Sequence, residues 1–325
     1  MIRYRLARPN DVVTCVQFIA DHPVLGPRYG SAIEHLGGVW LRFLDSDGLF
    51  SIVCEETGPG TATRLIGSYI AAIISDGFAI ELATPPLKWI GPELVKRCIH
   101  GPVPILTDAE VRHANSISGV NILVWPTAPS TDFENLPELL QEGQALFFDA
   151  YRGFNIQRLQ VQASHPAEMA VAMNSGAWRL RDEDAVHSRI LEQPAEDAVL
   201  QPHMLEATKE MAAQQPGSWV SLLLAYRKPV IGFTRSEQRL LSAALQGGTD
   251  GELSDQLGIS LSAVKKTWAN IYLRVQSRKP SDLRIELDGT DGDRGKEKKQ
   301  KLLAYLREHP EELRPYSLRL LENGL

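Results

Sequence analysis

Residues 247–275 read "GGTDGELSDQLGISLSAVKKTWANIYLRV". Thr249 or Asp250 is a cap, and a short helix follows and stops at Gly258. Ser260 caps the next helix. Its apolar residues Val264, Trp268, Ile271 and Val275 return at helical spacing on one stripe. Lys265, Lys266, Ala269 and Asn270 fall off that stripe and face outward. Upstream, "FTRSEQRLLSAALQG" opens on Thr234 with Glu237 three residues later, a capping box. Three short helices joined by tight turns are expected here.

The surrounding chain has the opposite electrostatic character. Residues 1–226 hold 16 Lys and Arg against 26 Asp and Glu, whereas 227–280 hold 9 against 4. The 325 residues carry a net charge of −6. A basic module therefore sits behind an acidic body, the local field that a polyanion needs. No apolar run is long enough for a membrane span, and "MIRYRLARPNDV" has no apolar core behind its arginines, so no secretory signal is expected. Cys15, Cys54 and Cys98 are far apart, odd in number and in no metal-ligand pattern. Buried free thiols in a cytoplasmic protein are expected.

The stretch from Phe233 to Val275 resembles the LuxR-type helix-turn-helix. Phe233, Thr234, Glu237, Leu241, Gly247, Glu252, Leu257, Ile259, Ser260, Val264, Lys265 and Ile271 fall on that family's pattern without a gap. It departs at Ala263, where the family has Thr, and at Thr267, where it has His. The resemblance implies an all-α helix-turn-helix domain over 228–288 that binds double-stranded DNA. Such a recognition helix lies in the major groove. Lys265 and Lys266 can then reach guanine edges or phosphates, Ala269 a thymine methyl, and Asn270 adenine or phosphate. Thr249, Ser260 and Ser262 sit at helix starts where phosphate is held. Arg274 extends the basic edge. Trp268 is read as core. The helix after Pro280, "SDLRIEL", is where this family dimerises, which implies a homodimer.

The first 190 residues alternate strands and helices in the order β-α-β-β-insert-β-α-β-α-β. Strands are read at "MIRYRL", "LFSIVCEET", "RLIGSYIAAIIS", "GVNILVWP", "FNIQRLQVQAS" and "AWRLRDED". "SDGFAIELA" is read as an extension of the third. Helices are read at "DVVTCVQFIADH", from near Asn135, and at "HPAEMAVAMNSG". With "YRLARPND" at the start and "AVAMNSGAWRLRD" at the end, this order resembles the GNAT acetyltransferase superfamily, which implies an α/β mixed sheet. That family holds acyl-CoA pyrophosphate on a Gly-rich loop after the fourth strand. Here the loop reads "WPTAPSTDFENLPELLQEG". Proline lacks the N–H donor, and Asp132 and Glu134 repel phosphate. No cofactor, no metal and no catalytic residue is assigned.

These readings combine into a cytoplasmic, non-enzymatic, sequence-specific transcriptional regulator. Residues 1–190 sense a small molecule or a partner protein, 191–227 link, 228–288 bind DNA, and 289–325 form a charged linker and helical tail. RNA polymerase is a possible partner, and no membrane is involved. Two rivals remain open. One is a CoA-dependent N-acyltransferase carrying a helix-turn-helix; the other is a protein-interaction module that binds no DNA.

Overall fold

The computed structural model describes residues 2–58, 63–84, 87–128, 136–163, 176, 179–180, 203–278, 280, 283 and 292–317. Strand β1 (Ile2–Leu6) leads into helix α1 (Pro9–Asp21). The helix starts two residues before the expected stretch, which opens at Asp11. Arg8 is its N-cap residue, and the Asp11 carboxylate accepts from the Arg8 N–H at 2.7 Å. Pro9 fits the first turn because its missing N–H is not needed there. Helices α2 (Leu25–Tyr29) and α3 (Ile33–Phe43) follow, then the antiparallel pair β2 (Leu49–Glu56) and β3 (Arg64–Ile74).

The stretch expected to extend β3 is instead helix α4 (Asp76–Leu82). Ser75 is extended at its start, and Phe78, Ala79 and Leu82 are buried at helical spacing, so the apolar period there is 3.6 and not 2. Helices α5 (Ile90–His100) and α6 (Asp108–Ser116) complete the insert. Strand β4 (Val120–Trp125) returns to the sheet. Helix α7 (Leu136–Tyr151) crosses over to β5 (Ile156–Ala163), which runs parallel to β4. A crossover helix is what a parallel pair requires.

The sheet order is β1-β2-β3-β4-β5-β7-β6, with β6 at Arg179–Leu180 and β7 at His203–Thr208. The sheet thus runs past residue 190, and β7 lies within the segment read as a linker. It is an inner strand, antiparallel to both β5 and β6. Helices α8 (Lys209–Gln214) and α9 (Trp219–Leu224) follow it. The helix expected at "HPAEMAVAMNSG" and the one at "SDLRIEL" lie outside the described residues, apart from Gly176 and Leu283.

Alternating side chains supply two cores. On one face Val53, Ile70, Ala72, Leu123, Trp125 and Met204 meet Cys15, Ile19, Leu36, Trp40 and Leu94 from α1, α3 and α5. On the other, Ala71, Ile73, Ile122, Leu159 and Ala207 meet Tyr151, Val220 and Leu223 from α7 and α9. The three cysteines are free and buried. Burial pushes the Cys15 and Cys98 thiols up to about 11 and Cys54 to about 12.

Beyond the sheet, α10 (Arg235–Leu245), α11 (Asp250–Leu257) and α12 (Leu261–Arg278) pack on one another. The expected capping box of Thr234 with Glu237 is present, and Thr249, not Asp250, caps α11, in a second box with Glu252. Gly258 takes the left-handed conformation, φ 65°, that ends α11. Val264, Trp268, Ile271 and Val275 form the buried stripe of α12. Helix α13 (Gly292–Glu308) starts within the stretch read as a linker, and its Leu302, Leu303 and Leu306 join the same core.

The segment after α13 ties this helical group to α6 and to the end of α7. Glu312 accepts from the N–H groups of Val230, Ile231 and Gly232. Arg314 donates to the carbonyls of Arg152 and Asp149 at 2.9 and 2.8 Å, and Asn115 donates to the Pro315 carbonyl at 2.7 Å. Gly153, at φ 87°, lies so close that a Cβ there would sit 2.5 Å from the Glu311 nitrogen. Arg235 of α10 pairs with Asp108 and Asp47 of the body. Among the described residues no helix is long and apolar enough to cross a membrane.

Candidate functional site

Strands β4 and β5 are paired from Val120/Ile156 to Val124/Val161. They then part. The chain after Trp125 stays on β3, where the Thr127 hydroxyl donates to the Ser68 carbonyl at 2.5 Å. Strand β5 runs on to Ala163 beside His203 of β7. Where a parallel ladder ends while each strand keeps its outer neighbour, the inner-edge backbone donors and acceptors face a gap in the ladder.

Polar side chains line the helix α4–α5 face of this strand end. Trp125 donates through Nε1 to the Tyr29 hydroxyl at 2.7 Å, and both residues are buried. The Tyr29 ring lies so close to Gly91 that a Cβ there would sit 2.2 Å from the hydroxyl. Burial pushes the Tyr29 phenol above its ordinary range, and the Trp125 hydrogen bond opposes the shift. Across the gap, Gln162 of β5 accepts from the Ile90 N–H at 2.9 Å and donates to the Lys88 carbonyl at 2.8 Å. It thereby satisfies one of the free N–H groups at the start of α5.

One step back along β5, Gln160 is fully buried. It donates to the Ala79 carbonyl of α4 at 2.9 Å and to Glu206 of β7 at 3.1 Å. Arg158 lies 3.4 Å from the same Glu206 oxygen. Asn121 of β4, paired in register with Arg158, donates to Asp76 at 2.6 Å. A cluster of charge and amide thus fills the sheet face beneath α4. Sequence reading missed it. Arg158, Gln160 and Gln162 alternate with Leu159, Val161 and Ala163, which is also the pattern of a strand with one wet face. Only the helices of the insert bury that face.

The residues expected to touch DNA lie elsewhere. Lys265, Lys266, Ala269 and Asn270 are exposed on α12, as is Ser262 near its start. Thr249 is engaged in its capping box, and the Ser260 hydroxyl accepts from the Ala263 N–H at 3.2 Å. Arg274 is half-buried and donates to Glu237 of α10 at 2.9 Å. Trp268 is core, stacked near Tyr272 with the Lys299 ammonium 4.9 Å over its ring. An open groove of about 620 Å³ between α10 and α12 is lined by Ser236, Thr267, Asn270 and Arg274, among others, far from the sheet cluster in sequence and fold.

No protein-family model and no curated protein matches the chain. Solved structures do. A GNAT-family acetyltransferase from Streptococcus pneumoniae is 12% identical, with a TM-score of 0.34 over 64% of this chain and 99% of its own. The C-terminal condensation domain of Ebony, solved with beta-alanyl-dopamine, is 9% identical, with a TM-score of 0.38 over 64% and 99%. FeeM, an N-acyl amino acid synthase from uncultured soil microbes, is 11% identical, with a TM-score of 0.32 over 66% and 94%. These names speak of acyl transfer and condensation, not of transcription. They overturn three expectations: a sequence-specific DNA-binding regulator, a non-enzymatic chain, and a role in transcription regulation. The rival reading, an N-acyltransferase, is the one they favour. The chain is similar to GNAT acetyltransferases in its mixed sheet.

Proposed function

We propose that this chain is an N-acyltransferase that moves an acyl group from a thioester to an amine and carries a helix-turn-helix after its catalytic sheet. The observation that carries the proposal is the end of the parallel β4–β5 ladder at Val124 and Val161, with buried polar side chains beside that gap in the sheet. The catalytic body spans β1 to α9, and α10–α12 are the LuxR-type helix-turn-helix, with α13 as part of its core.

The chemistry is a substitution at carbon. The amine nitrogen attacks the thioester carbonyl, a C–N bond forms, the C–S bond breaks, and the thiol leaves with the proton that the amine loses. Backbone N–H groups facing the gap are suited to the oxygen that gains charge. The customary pyrophosphate cradle does not fit these residues. Pro126 has no N–H, and the first glycine after β4 is Gly143. Its missing Cβ is used by the Tyr69 ring, 2.3 Å from where that atom would be. The donor is therefore written as an acyl thioester, with no step through a nucleotide.

The test mixes the purified chain with acetyl-CoA, a long-chain acyl-CoA or the nucleotide-free thioester S-acetyl-N-acetylcysteamine, and a pool of amines. Free thiol is read by colour and products by mass spectrometry. Thiol release matched by an N-acylated product is expected. No release above buffer with any of the three donors would remove the proposal.

A further inference from the structure

The open groove of about 620 Å³ between α10 and α12 combines an apolar spot with uncommitted positive charge. Ser236 and Glu237 of α10 form one bank, and Asn270, Leu273 and Arg274 of α12 the other. Leu273 is 61% exposed. A lone exposed leucine is ordinary. This one stands in a groove, between Lys266 and Arg274 along the helix. Helix α12 carries Lys265, Lys266, Arg274 and Arg278 and no acid. The side chains of Lys265 and Lys266 are exposed and have no ion pair or hydrogen bond among the described residues. Arg274 spends Nε on Glu237 at 2.9 Å, and its two outer nitrogens have no partner among the described residues. The exposed Asn270 amide has none there either. Lys266 and Arg274 are two turns apart, about 12 Å at 1.5 Å per residue.

We infer that this groove docks an acidic amphipathic helix of a partner protein. Such a helix lays apolar side chains in a groove while its charges set the register. Acids two turns apart on it meet Lys266 and Arg274, and an aliphatic or aromatic side chain between them covers Leu273. The acid at Arg274 takes the outer nitrogens that Glu237 leaves, a charge-assisted contact that Asn270 can join. A nucleic acid fits less well. It offers phosphate at every step and nothing apolar for Leu273. The Glu237 carboxylate stands in the groove wall, and Ala263 and Thr267 replace the Thr and His of the LuxR-type pattern. The docking site is separate from the acyl-transfer gap. The helical group is tied to Asn115 and Arg152, just before β4 and β5, whereas the gap lies at the far ends of those strands. A bound partner leaves the gap clear.

The experiment titrates the whole chain into a fluorescein-labelled, alanine-based peptide of about 16 residues, long enough to hold a helix. The peptide carries glutamates two turns apart with leucines between them on one face. Two control peptides replace the glutamates by glutamine or the leucines by serine. Fluorescence anisotropy is read at an ionic strength of about 0.1 M. Saturable binding of the acidic peptide is expected, with either control at least tenfold weaker. Leu273→Glu and the pair Lys265→Gln/Lys266→Gln change exposed side chains, and an unchanged Tm verifies that both fold. Each is expected to weaken the acidic peptide at least tenfold and to leave thiol release as it is. No saturation, equal binding of the glutamine control, or affinity unchanged in either variant overturns the inference. Tighter binding of a duplex oligonucleotide of about 20 base pairs than of the peptide overturns it too.

Discussion

The Glu312 carboxylate grips the N–H of Ile231 with both oxygens, at 3.0 and 3.1 Å, across 81 residues of chain. It also takes the N–H groups of Val230 and Gly232 and the Tyr305 hydroxyl at 3.3 Å. A side chain after the last long helix thus satisfies backbone donors that precede the first helix of that group. Glu312→Ala leaves those N–H groups without it, a loss of about 2–6 kcal/mol for the two buried donors, Ile231 and Gly232, at about 1–3 kcal/mol each. Burial holds the Glu312 carboxyl above the usual range, and the three N–H groups pull it back. A raised folded pKa means that its contribution is complete below the unfolded value of about 4.3 and declines as pH rises through the folded one. Glu312→Gln should flatten the dependence of Tm on pH above about 4.3. An unchanged slope would show that Glu312 does not titrate there.

Leu302 of α13 is fully buried in the core that Val264, Trp268 and Ile271 share. Leu302→Ala should cost about 2–5 kcal/mol, the range for a core leucine whose site cannot collapse. Urea unfolding, followed by the fluorescence of Trp268 after the other tryptophans are replaced by Phe, reads that core. A loss below about 1 kcal/mol would mean that α13 is an appendage and not part of the helical unit.

Arg5 of β1 holds Asp11 through two bonds, at 2.6 and 2.9 Å, and Glu55 of β2 at 2.8 Å. The Arg5 guanidinium keeps the Asp11 carboxyl below the usual range, against the opposing effect of burial. A lowered folded pKa means stability that is present above the unfolded value of about 3.9 and is lost as pH falls through the folded one. Arg5→Met should cost about 3–5 kcal/mol at neutral pH, because two carboxylates lose their partner, and should move acid unfolding to higher pH. Tm measured from pH 2 to 7 checks this. Parallel acid limbs in variant and wild type would place the effect elsewhere.

Local chemistry was legible wherever a signal and its partner lie within a turn. The box at Thr234/Glu237, the cap at Thr249, the stop at Gly258 and the Val264–Trp268–Ile271–Val275 stripe all act over three or four residues. The strands at 49–56, 64–74, 120–125 and 156–163 were legible from β-branched runs between turns. The stretch after Ser75 misled because a short apolar run fits either period until its neighbours choose.

The sequence by itself therefore determined the caps, most of the strands, the mixed α/β character and the basic helical module near the C-terminus, because those are short-range preferences of the chain. Only the tertiary structure decided that residues 203–208 are an inner strand, that α13 completes the helical core, that Glu312 holds the chain before α10, that Arg314 binds the helical group to α7, and that Arg158, Gln160 and Glu206 meet in one buried cluster. Each of these needs groups tens to hundreds of residues apart to meet. What selects such meetings is the burial of a face and the pairing of its polar atoms, which no local pattern records.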